Sequence, residues 1–251
     1  MTQRNDDISL DVCMVATRRP DLITQTLASF QDKVFSSFDI RSFRINLDPI
    51  FGTQQDQDDC IEIVNGYFPQ AKITVPEAPG FCAAVKRLWA GAEGRLMLHL
   101  EDDWIVHEPI THEQINALIA EGYSAIAPLS KHHPTTPGVD YICKVKTRRI
   151  LGIPVSRRII PKLGTSPKFI LSDYAIAVAG QLNPDLDPEK QMTNNLNPAL
   201  EKFIAERKCH LLRDAKGGPL ITDIGRAWRD ARMIEKVVVD GRSIWHSADA
   251  S

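Results

Sequence analysis

The chain has 251 residues, 43% of them hydrophobic and 25% charged, which is an ordinary composition for one large α/β domain or two small ones. The formal net charge of -2 excludes a global electrostatic attraction to nucleic acid or to a membrane surface. Five cysteines without CxxC spacing argue against a zinc site or a disulfide framework and fit a reducing cytosol. The polar amino terminus has no apolar signal region, and no apolar run reaches the roughly 20 residues of a membrane span. We therefore expect a cytoplasmic protein without stable membrane association.

The first predicted unit is a strand, a short loop and a helix. Residues 10–16 are apolar except for Asp11 and are followed by Thr17, Arg18, Arg19 and Pro20. Proline is well suited to the first turn of a helix, and apolar residues then recur at helical spacing. In open α/β sheets ligands bind outside the carboxyl ends of the strands, so Thr17 and Arg18 are candidate ligand contacts. The alternative for the two arginines is an exposed, solvated pair.

The second predicted strand, residues 43–47, ends at Asp48, directly before a proline. A carboxylate at a strand end is a candidate ligand contact, and an aspartate before a proline is also a common turn former. A helix over 56–67 and a third strand over 72–75 follow. Together these patterns predict a repeated strand–helix arrangement.

Gly80 precedes an amphipathic helix in which Val85, Leu88 and Trp89 share one face. The glycine and the small residues after it allow a ligand to approach the start of the helix. Lys86 lies about a turn and a half inside the helix and could reach a phosphate. The alternative is a lysine that is simply solvated.

A short apolar run over 96–100 ends in three consecutive acids, Glu101, Asp102 and Asp103. The run is typical of a strand in a mostly parallel sheet, which is buried on both faces. Three adjacent carboxylates repel one another, and a divalent metal is the simplest partner because it favours hard oxygen ligands. Side-chain alternation puts Glu101 and Asp103 on one side and Asp102 on the other. The alternative is an acidic turn exposed to solvent.

A helix with capping-box residues and a short strand over 124–128 complete a first half in which strands and helices alternate, which favours a parallel sheet. A basic block follows between residues 141 and 172, without any acid. Its prolines and glycines predict loops or short strands. The block fits a polyanion such as DNA, a clamp for a diphosphate, or a solvated surface. The cations that we consider for DNA binding are Lys144, Lys146, Arg148, Arg149, Arg157 and Arg158.

The remaining elements are less regular. A strand is predicted over 175–178, and an acidic, proline-rich loop with Asp187 and Glu189 follows. A helix is predicted from 197 to 210. An Asp-Gly pair within residues 237–244 is a signal for a two-residue hairpin turn.

The strand that ends in the acid triplet resembles the DxD element of GT-A glycosyltransferases. In that family the element holds a divalent metal that bridges the two phosphates of a nucleotide-sugar. The family also places a glycine-containing turn and a helix directly before the metal strand, and Gly80 and its helix have that position here. The resemblance implies a GT-A-like (Rossmann-like) α/β fold: a mostly parallel sheet flanked by helices, with an irregular C-terminal region on the acceptor side. It further implies a single domain over 8–251, with a nucleotide-sugar-binding half (8–130) and an acceptor-side half (131–251).

The same resemblance assigns roles to single residues. Glu101 and Asp103, with His246 as a late third ligand, would hold Mn²⁺ or Mg²⁺. If the transfer inverts, Asp187 or Glu189 would take the proton from the acceptor hydroxyl. The residues expected to bind the UDP-sugar donor are Thr17, Arg18, Asp48, Gly80, Lys86, Asp102 and Arg226. For His246 and Arg226 the alternative is an exposed side chain.

A small chain with a basic block after the metal site is similar to the glycosyltransferases found beside TET-type dioxygenases in phages, which add sugars to 5-hydroxymethylcytosine in DNA. This implies a hexosyltransferase-type enzyme in bacterial or phage-infected cytosol, whose partner is double-stranded DNA with a hydroxymethylated base. The target base would have to leave the duplex. Two alternatives stay open: a cytosolic glycosyltransferase acting on a bacterial glycan or lipid-linked precursor, and a non-catalytic nucleic-acid-binding module.

Overall fold

The computed structural model describes residues 9–151 and 153–247. In the first half, strands and helices follow one another as β1 (Leu10–Thr17), α1 (Pro20–Lys33), β2 (Ile40–Asp48), α2 (Gln54–Tyr67), β3 (Lys72–Thr74), α3 (Phe81–Ala90), β4 (Leu96–Glu101), β5 (Trp104–Val106), α4 (His112–Ala120) and β6 (Ala125–Pro128). The second half continues with β7 (Cys143–Ile150), β8 (Ile153–Pro161), β9 (Lys168–Leu171), α5 (Ser172–Gln181), α6 (Pro188–Thr193), α7 (Pro198–Ile204), β10 (Cys209–Leu212), β11 (Ile221–Asp223), α8 (Gly225–Asp230), β12 (Ile234–Val239) and β13 (Arg242–Ser247).

Seven strands form a central sheet in the order β10-β6-β9-β4-β1-β2-β3. β1 pairs in parallel with β2 and with β4, whereas β9 is antiparallel to both of its neighbours. The mostly parallel sheet flanked by helices confirms the predicted fold class. In the register, Thr17 lies opposite Asp48 and Val15 lies opposite Glu101. The ends of β2, β1 and β4 therefore meet at one edge of the sheet.

β1 is buried on both of its faces because helices cover both sides of the sheet. Val12 and Met14 belong to a core that also contains buried residues of α1 and α2. Cys13 and Val15 point to the other side, into a core with residues of α3 and α5. Burial of these apolar side chains is the main force that holds the layers together and fixes the edge of the sheet.

The strand predicted over 175–178 is wrong, because these residues lie inside α5. Tyr174, Ala175, Val178 and Ala179 are buried along this helix, at spacings of one and four residues that place them on one helical face. A short apolar run cannot be assigned to a buried strand or a buried helix from periodicity alone.

The helix predicted from 197 to 210 is correct only in its first part. α7 ends at Ile204, and residues after it form β10 at the edge of the central sheet. Cys209 and Leu211 are buried in alternation, as strand residues are. Within residues 9–151 and 153–247, no helix combines the length and apolar character needed to cross a membrane.

Antiparallel hairpins lie outside the central sheet. Of the basic block, expected as loops or short strands, residues 143–161 form the hairpin β7–β8, whereas its last residues belong to β9 of the central sheet. The hairpin predicted near the end of the chain is confirmed as β12–β13. Its turn residues Asp240 and Gly241 have φ angles of 48° and 79°, and positive φ at both positions is what a type I′ turn requires.

Candidate active site

A cleft of about 1060 Å³ opens at the edge of the sheet where β1, β2 and β4 end. Parallel strands present their carboxyl ends at the same edge, so residues distant in sequence meet there. Most of the residues predicted to form the site line this cleft, namely Thr17, Asp48, Gly80, Glu101, Asp102, Asp103, Asp187, Glu189 and Arg226.

Asp102 is a buried carboxylate that joins the loop after β1 to the end of β4. Its Oδ2 accepts hydrogen bonds from the Thr17 backbone N–H at 2.9 Å and from the Thr17 hydroxyl at 3.2 Å. The Arg19 guanidinium donates to both of its carboxylate oxygens. The Asp102 backbone carbonyl accepts a further bond from the Thr26 hydroxyl of α1. With these bonds Asp102 fixes the loop that forms part of the cleft.

Arg19 is a buried cation held by two carboxylates and two aromatic rings. It donates to Asp103 at 3.1 Å as well as to Asp102, and its guanidinium carbon lies 5.8 Å and 5.3 Å from the ring centroids of Phe51 and Trp228. Burial works against the charged form, but the two carboxylates raise the pKa of Arg19, so it stays cationic. Among the described residues its buried Nη1 has no hydrogen-bond partner.

Asp103 lies between two arginines in a site with little free space. Its Oδ2 accepts from Arg19 at 3.1 Å and from Arg229 at 3.4 Å. A Cβ at Gly225 would lie 2.6 Å from the Asp103 carboxyl carbon, so glycine is needed at that position. Burial raises the pKa of Asp103 to about 6, although Arg19 works in the opposite direction.

Glu101 closes β4 and lies beside Asp103. Its Oε2 accepts a hydrogen bond of 2.9 Å from the indole N–H of Trp104. Burial, and then the charge of Asp103, raise the pKa of Glu101 to about 8. The buried cation Lys168 acts in the opposite direction, without compensating the pair. Glu101 is thus short of positive charge, whereas Asp103 is paired with two arginines.

A divalent cation fits this pair of carboxylates. Both offer hard oxygen ligands, and a bound cation would favour their ionised forms. In the part of the chain that the structure describes, no three His, Cys, Asp or Glu side chains are grouped to hold one ion. Mg²⁺ sites that use one or two carboxylates and substrate phosphates match such a set. His246, the predicted third ligand, lies in β13, but its side chain is outside the described residues.

Asp48 and Gly80, predicted separately, are in direct contact. The Asp48 Oδ2 accepts a hydrogen bond from the Gly80 backbone N–H at 3.0 Å, and its Oδ1 accepts from Asn46 at 2.7 Å. Burial raises the pKa of Asp48, while the Gly80 and Asn46 bonds oppose the shift. The end of β2 and the start of α3 therefore form one side of the cleft together.

The three predicted cationic contacts are placed differently. Arg18 donates to Gln57 of α2 at 3.0 Å and 3.2 Å, and the Lys86 ammonium donates to the Leu182 carbonyl at 2.7 Å. Neither residue is part of the described cleft lining, whereas Arg226 lines the cleft and is exposed. Arg18 was the residue predicted from the sequence, but its neighbour Arg19 is the one that lines the cleft.

Asp187 has its oxygens occupied by the hairpin β12–β13 and by α6. Oδ2 accepts from the Lys236 ammonium at 2.8 Å and from the Ser243 hydroxyl at 2.6 Å, and Oδ1 accepts from the Lys190 backbone N–H at 2.9 Å. Burial alone would raise the pKa of Asp187, but these bonds lower it. Asp187 is therefore a helix cap and an ion-pair partner within the fold.

Glu189, in the first turn of α6, is exposed and lines the cleft. Its Oε1 accepts one hydrogen bond, from the Thr165 hydroxyl at 3.0 Å. Glu189 is also close enough to Glu101 for its charge to raise the pKa of that carboxyl. It is thus an accessible carboxylate near the predicted metal position.

The hairpin β12–β13 forms a wall of the cleft, which the sequence did not predict. Lys236 and Trp245 line the cleft from this hairpin. The Trp245 ring meets Phe51 edge-on at 5.1 Å, and the Arg229 guanidinium lies 5.7 Å from the Trp245 ring. A tryptophan near the end of the chain was visible in the sequence, but no local pattern places it against the loop after β2.

The basic block reaches this cleft through Ile142 and residues 163–166, which are part of its lining. Its six predicted nucleic-acid contacts are on β7 and β8, and the described lining of the cleft contains none of them. The six cations therefore lie outside the cleft lining, on strands that are adjacent in sequence to residues that belong to it.

Comparison with known proteins gives a likeness in fold. No family model matches the chain, and no curated protein matches it. S. aureus TarS (residues 1–349) superposes with a TM-score of 0.54 at 16% identity, covering 86% of this chain and 60% of that one. GalNAc-T7 with UDP, GalNAc and Mn²⁺ gives 0.57 at 13% identity, covering 88% and 44%. The mannosyltransferase PcManGT from Pyrobaculum calidifontis with GDP-Man and Mn²⁺ gives 0.53 at 10% identity, covering 90% and 61%.

These structures are GT-A-type glycosyltransferases, and the chain shares their fold. The chain spans less than two thirds of the length of each of them. Identities of 10–16% establish the architecture and not a common substrate.

Proposed function

We propose that the protein is a metal-dependent glycosyltransferase that moves a sugar from a UDP-sugar to a hydroxyl acceptor. The observation that carries the proposal is the pair of the half-buried Glu101 and the buried Asp103, which lies at the end of β4 in a cleft also lined by Asp48 and Gly80. The fold supports the same activity, because structures that share it include complexes with UDP and with Mn²⁺.

Within this proposal the donor diphosphate lies beside the acid pair. Glu101 and Asp103 would hold Mn²⁺ or Mg²⁺, which offsets the negative charge that develops on the leaving diphosphate. Arg19 keeps Asp103 in position and places a positive charge at the wall of the cleft. Arg226, exposed at the cleft, is a second cation for the phosphates.

The acceptor would enter from the side of α6 and the C-terminal hairpin. Of the two predicted bases, we favour Glu189, since its carboxylate is exposed in the cleft and accepts a single described side-chain bond. It would take the proton from the acceptor hydroxyl in an inverting transfer. We keep the division into a donor half (8–130) and an acceptor half (131–251) as part of the proposal.

Hydroxymethylated DNA is the acceptor that the sequence resemblance implies. Its support is the six cations of β7–β8, which could contact phosphates while an extruded base enters the cleft. A bacterial glycan or a lipid-linked precursor is the alternative acceptor. Transfer from UDP-sugars to hydroxymethylated DNA, plain DNA and lipid-linked acceptors would distinguish them.

The first test is thermal stability with UDP, with and without Mn²⁺, against ADP and GDP. A ligand that binds only the folded state at a hundredfold excess over its Kd stabilises by about 2.7 kcal/mol. We expect UDP with Mn²⁺ to raise the melting temperature, and Asp103→Asn to remove the effect. The matched control is Asp39→Asn, which changes an exposed aspartate outside the described cleft lining.

Two outcomes would contradict the proposal. Stabilisation by UDP that is indifferent to metal and to Asp103→Asn would separate the acid pair from the donor site. If no nucleotide stabilises the protein with either metal, the cleft is not a donor site, and the non-catalytic nucleic-acid-binding module becomes the better explanation.

A further inference from the structure

The hairpin β7–β8 is exposed on both of its faces. Every described residue from 145 to 159 is exposed to solvent. The base of the hairpin is tied to the body by the Lys144 ammonium, which donates to the Thr193 carbonyl at the end of α6 at 3.3 Å. A two-stranded hairpin with neither face covered is only marginally stable in water. The two exposed faces therefore indicate that a binding partner covers the hairpin.

The tip of the hairpin is apolar. Leu151 is 97% exposed, Ile153 66%, Ile150 51% and Val155 50%. Single exposed apolar side chains are normal, but a contiguous group of large ones marks an interaction surface.

The strands behind the tip carry positive charge only. Residues 143–161 contain six lysines and arginines and no acid. Lys146 of β7 lies directly opposite Arg158 of β8, and like charges in such a pair destabilise a hairpin. A negatively charged partner would remove this repulsion.

We propose that β7–β8 docks on an anionic lipid bilayer, with its apolar tip at the headgroup–acyl boundary and its cations against the lipid phosphates. Apolar side chains next to a basic surface are the combination that binds such membranes. DNA would satisfy the cations equally well, but a duplex backbone offers nothing to an apolar tip. This reversible contact is compatible with the expectation of a chain without stable membrane association. It goes beyond the glycosyltransferase proposal and does not depend on it, but it assigns to lipid phosphates the six cations that a DNA acceptor would use.

The test is flotation of the full chain with vesicles of phosphatidylcholine, with and without phosphatidylglycerol. We expect binding only to the anionic vesicles, and weaker binding as salt rises. Lys146→Ser with Arg158→Ser should lower partitioning about fivefold for each cation removed. Leu151→Ser with Ile153→Ser should lower it about tenfold or more.

Matched controls are Ile176→Ser and Lys72→Ser, which change an exposed apolar residue and an exposed lysine outside the hairpin and should not alter binding. Several results would overturn the proposal: no binding to anionic vesicles at low salt, or binding that the tip variant leaves unchanged. So would hairpin-dependent binding to duplex DNA in place of vesicles, which would make the surface a nucleic-acid contact. A change in mass in solution caused by the tip variant would instead make the hairpin an interface between two copies.

Discussion

Asp187 and Glu189 are two residues apart, yet their side chains have different surroundings. The Asp187 oxygens accept from a lysine, a hydroxyl and a backbone N–H, and the residue is buried. Glu189 is exposed and faces the cleft. A base needs an oxygen that the reacting hydroxyl can reach, and Glu189 meets this condition.

We expect Glu189→Gln to lower kcat about 100-fold or more while UDP and Mn²⁺ still stabilise the protein, because only proton removal is lost. Asp187→Asn should instead lower the melting temperature, since it weakens the ion pair with Lys236. Steady-state kinetics and thermal unfolding of both variants measure the difference. Asp185→Asn, an exposed neighbour in the cleft, is the control. Loss of transfer in Asp187→Asn at unchanged stability, with Glu189→Gln active, would reverse the assignment.

The sequence predicted which strand ends meet but not which side chain of a loop enters the site. Asp48 and the acid triplet follow from the rule that parallel strands present their carboxyl ends together. Arg18 and Arg19 are adjacent and chemically identical, and the loop conformation alone sends Arg19 to Asp102 and Arg18 to Gln57. No local pattern in the sequence contains that information.

The hairpin β12–β13 is held against α6 by few polar contacts. Asp187 accepts from Lys236 and Ser243, and its backbone N–H donates to the Gly241 carbonyl at 2.7 Å. The hairpin also supplies Trp245 to the cleft. The position of this wall therefore depends on a buried carboxylate paired with a partly exposed lysine.

We expect Lys236→Met to loosen the hairpin, because it leaves the buried Asp187 carboxylate without its cation. The local cost should be about 3 kcal/mol at most. Hydrogen–deuterium exchange should rise in β12 and β13 while the central strands keep their protection. Glu235→Gln, which changes the exposed preceding residue, should leave exchange unchanged. Equal exchange in wild type and Lys236→Met would show that other contacts hold the hairpin.

Helices and strands whose apolar residues recur with a clear period were predicted from the sequence, and elements without such a period were not. The alternating first half follows from apolar runs and helical spacing. The apolar run over 175–178 is short, so its sequence is compatible with a buried strand as well as with the helix α5. The predicted helix ran into the residues of β10, because β10 is defined by its pairing with β6, and a pairing between segments distant in sequence leaves no local pattern.

The sheet is pinned at the end opposite the cleft by Asp11 of β1. This fully buried carboxylate accepts from Arg41 at 2.8 Å, from Ser42 at 2.6 Å and from the backbone N–H groups of Glu93 and Gly94. Burial alone would raise the pKa of Asp11, but these bonds lower it to about 2. A lowered pKa stabilises the folded chain above the unfolded pKa of about 3.9, and the effect disappears as pH falls towards 2.

We expect Asp11→Asn to reduce the free energy of unfolding at pH 7 by about 2 kcal/mol, with the difference from wild type falling to about half at pH 3. Urea unfolding at several pH values measures both quantities. Comparing the two proteins at each pH removes the contribution of the other carboxylates. A difference that stays constant from pH 7 to pH 3 would show that Asp11 does not act through its charge.

For the molecule as a whole, the sequence predicted the architecture of the sheet but not the shape of the exposed surface. The order of strand, glycine turn, helix and acid triplet was enough to predict the α/β sheet and the edge where the cleft lies. The basic block was recognised by charge, but its shape as a two-sided hairpin with Leu151 at the tip depends on pairing across the chain. The apolar tip next to those cations favours an anionic membrane over DNA as their partner in our proposal.

The four tryptophans are placed so that intrinsic fluorescence can detect a ligand bound in the cleft. Trp104 and Trp245 line the cleft, and Trp228 lies against Arg19, whereas Trp89 is fully buried and donates to His99 at 3.0 Å. A ligand in the cleft will alter the emission of the first group and leave Trp89 as an internal reference. Intrinsic fluorescence can therefore follow occupancy in unlabelled protein, without an acceptor and before the transferred sugar is known.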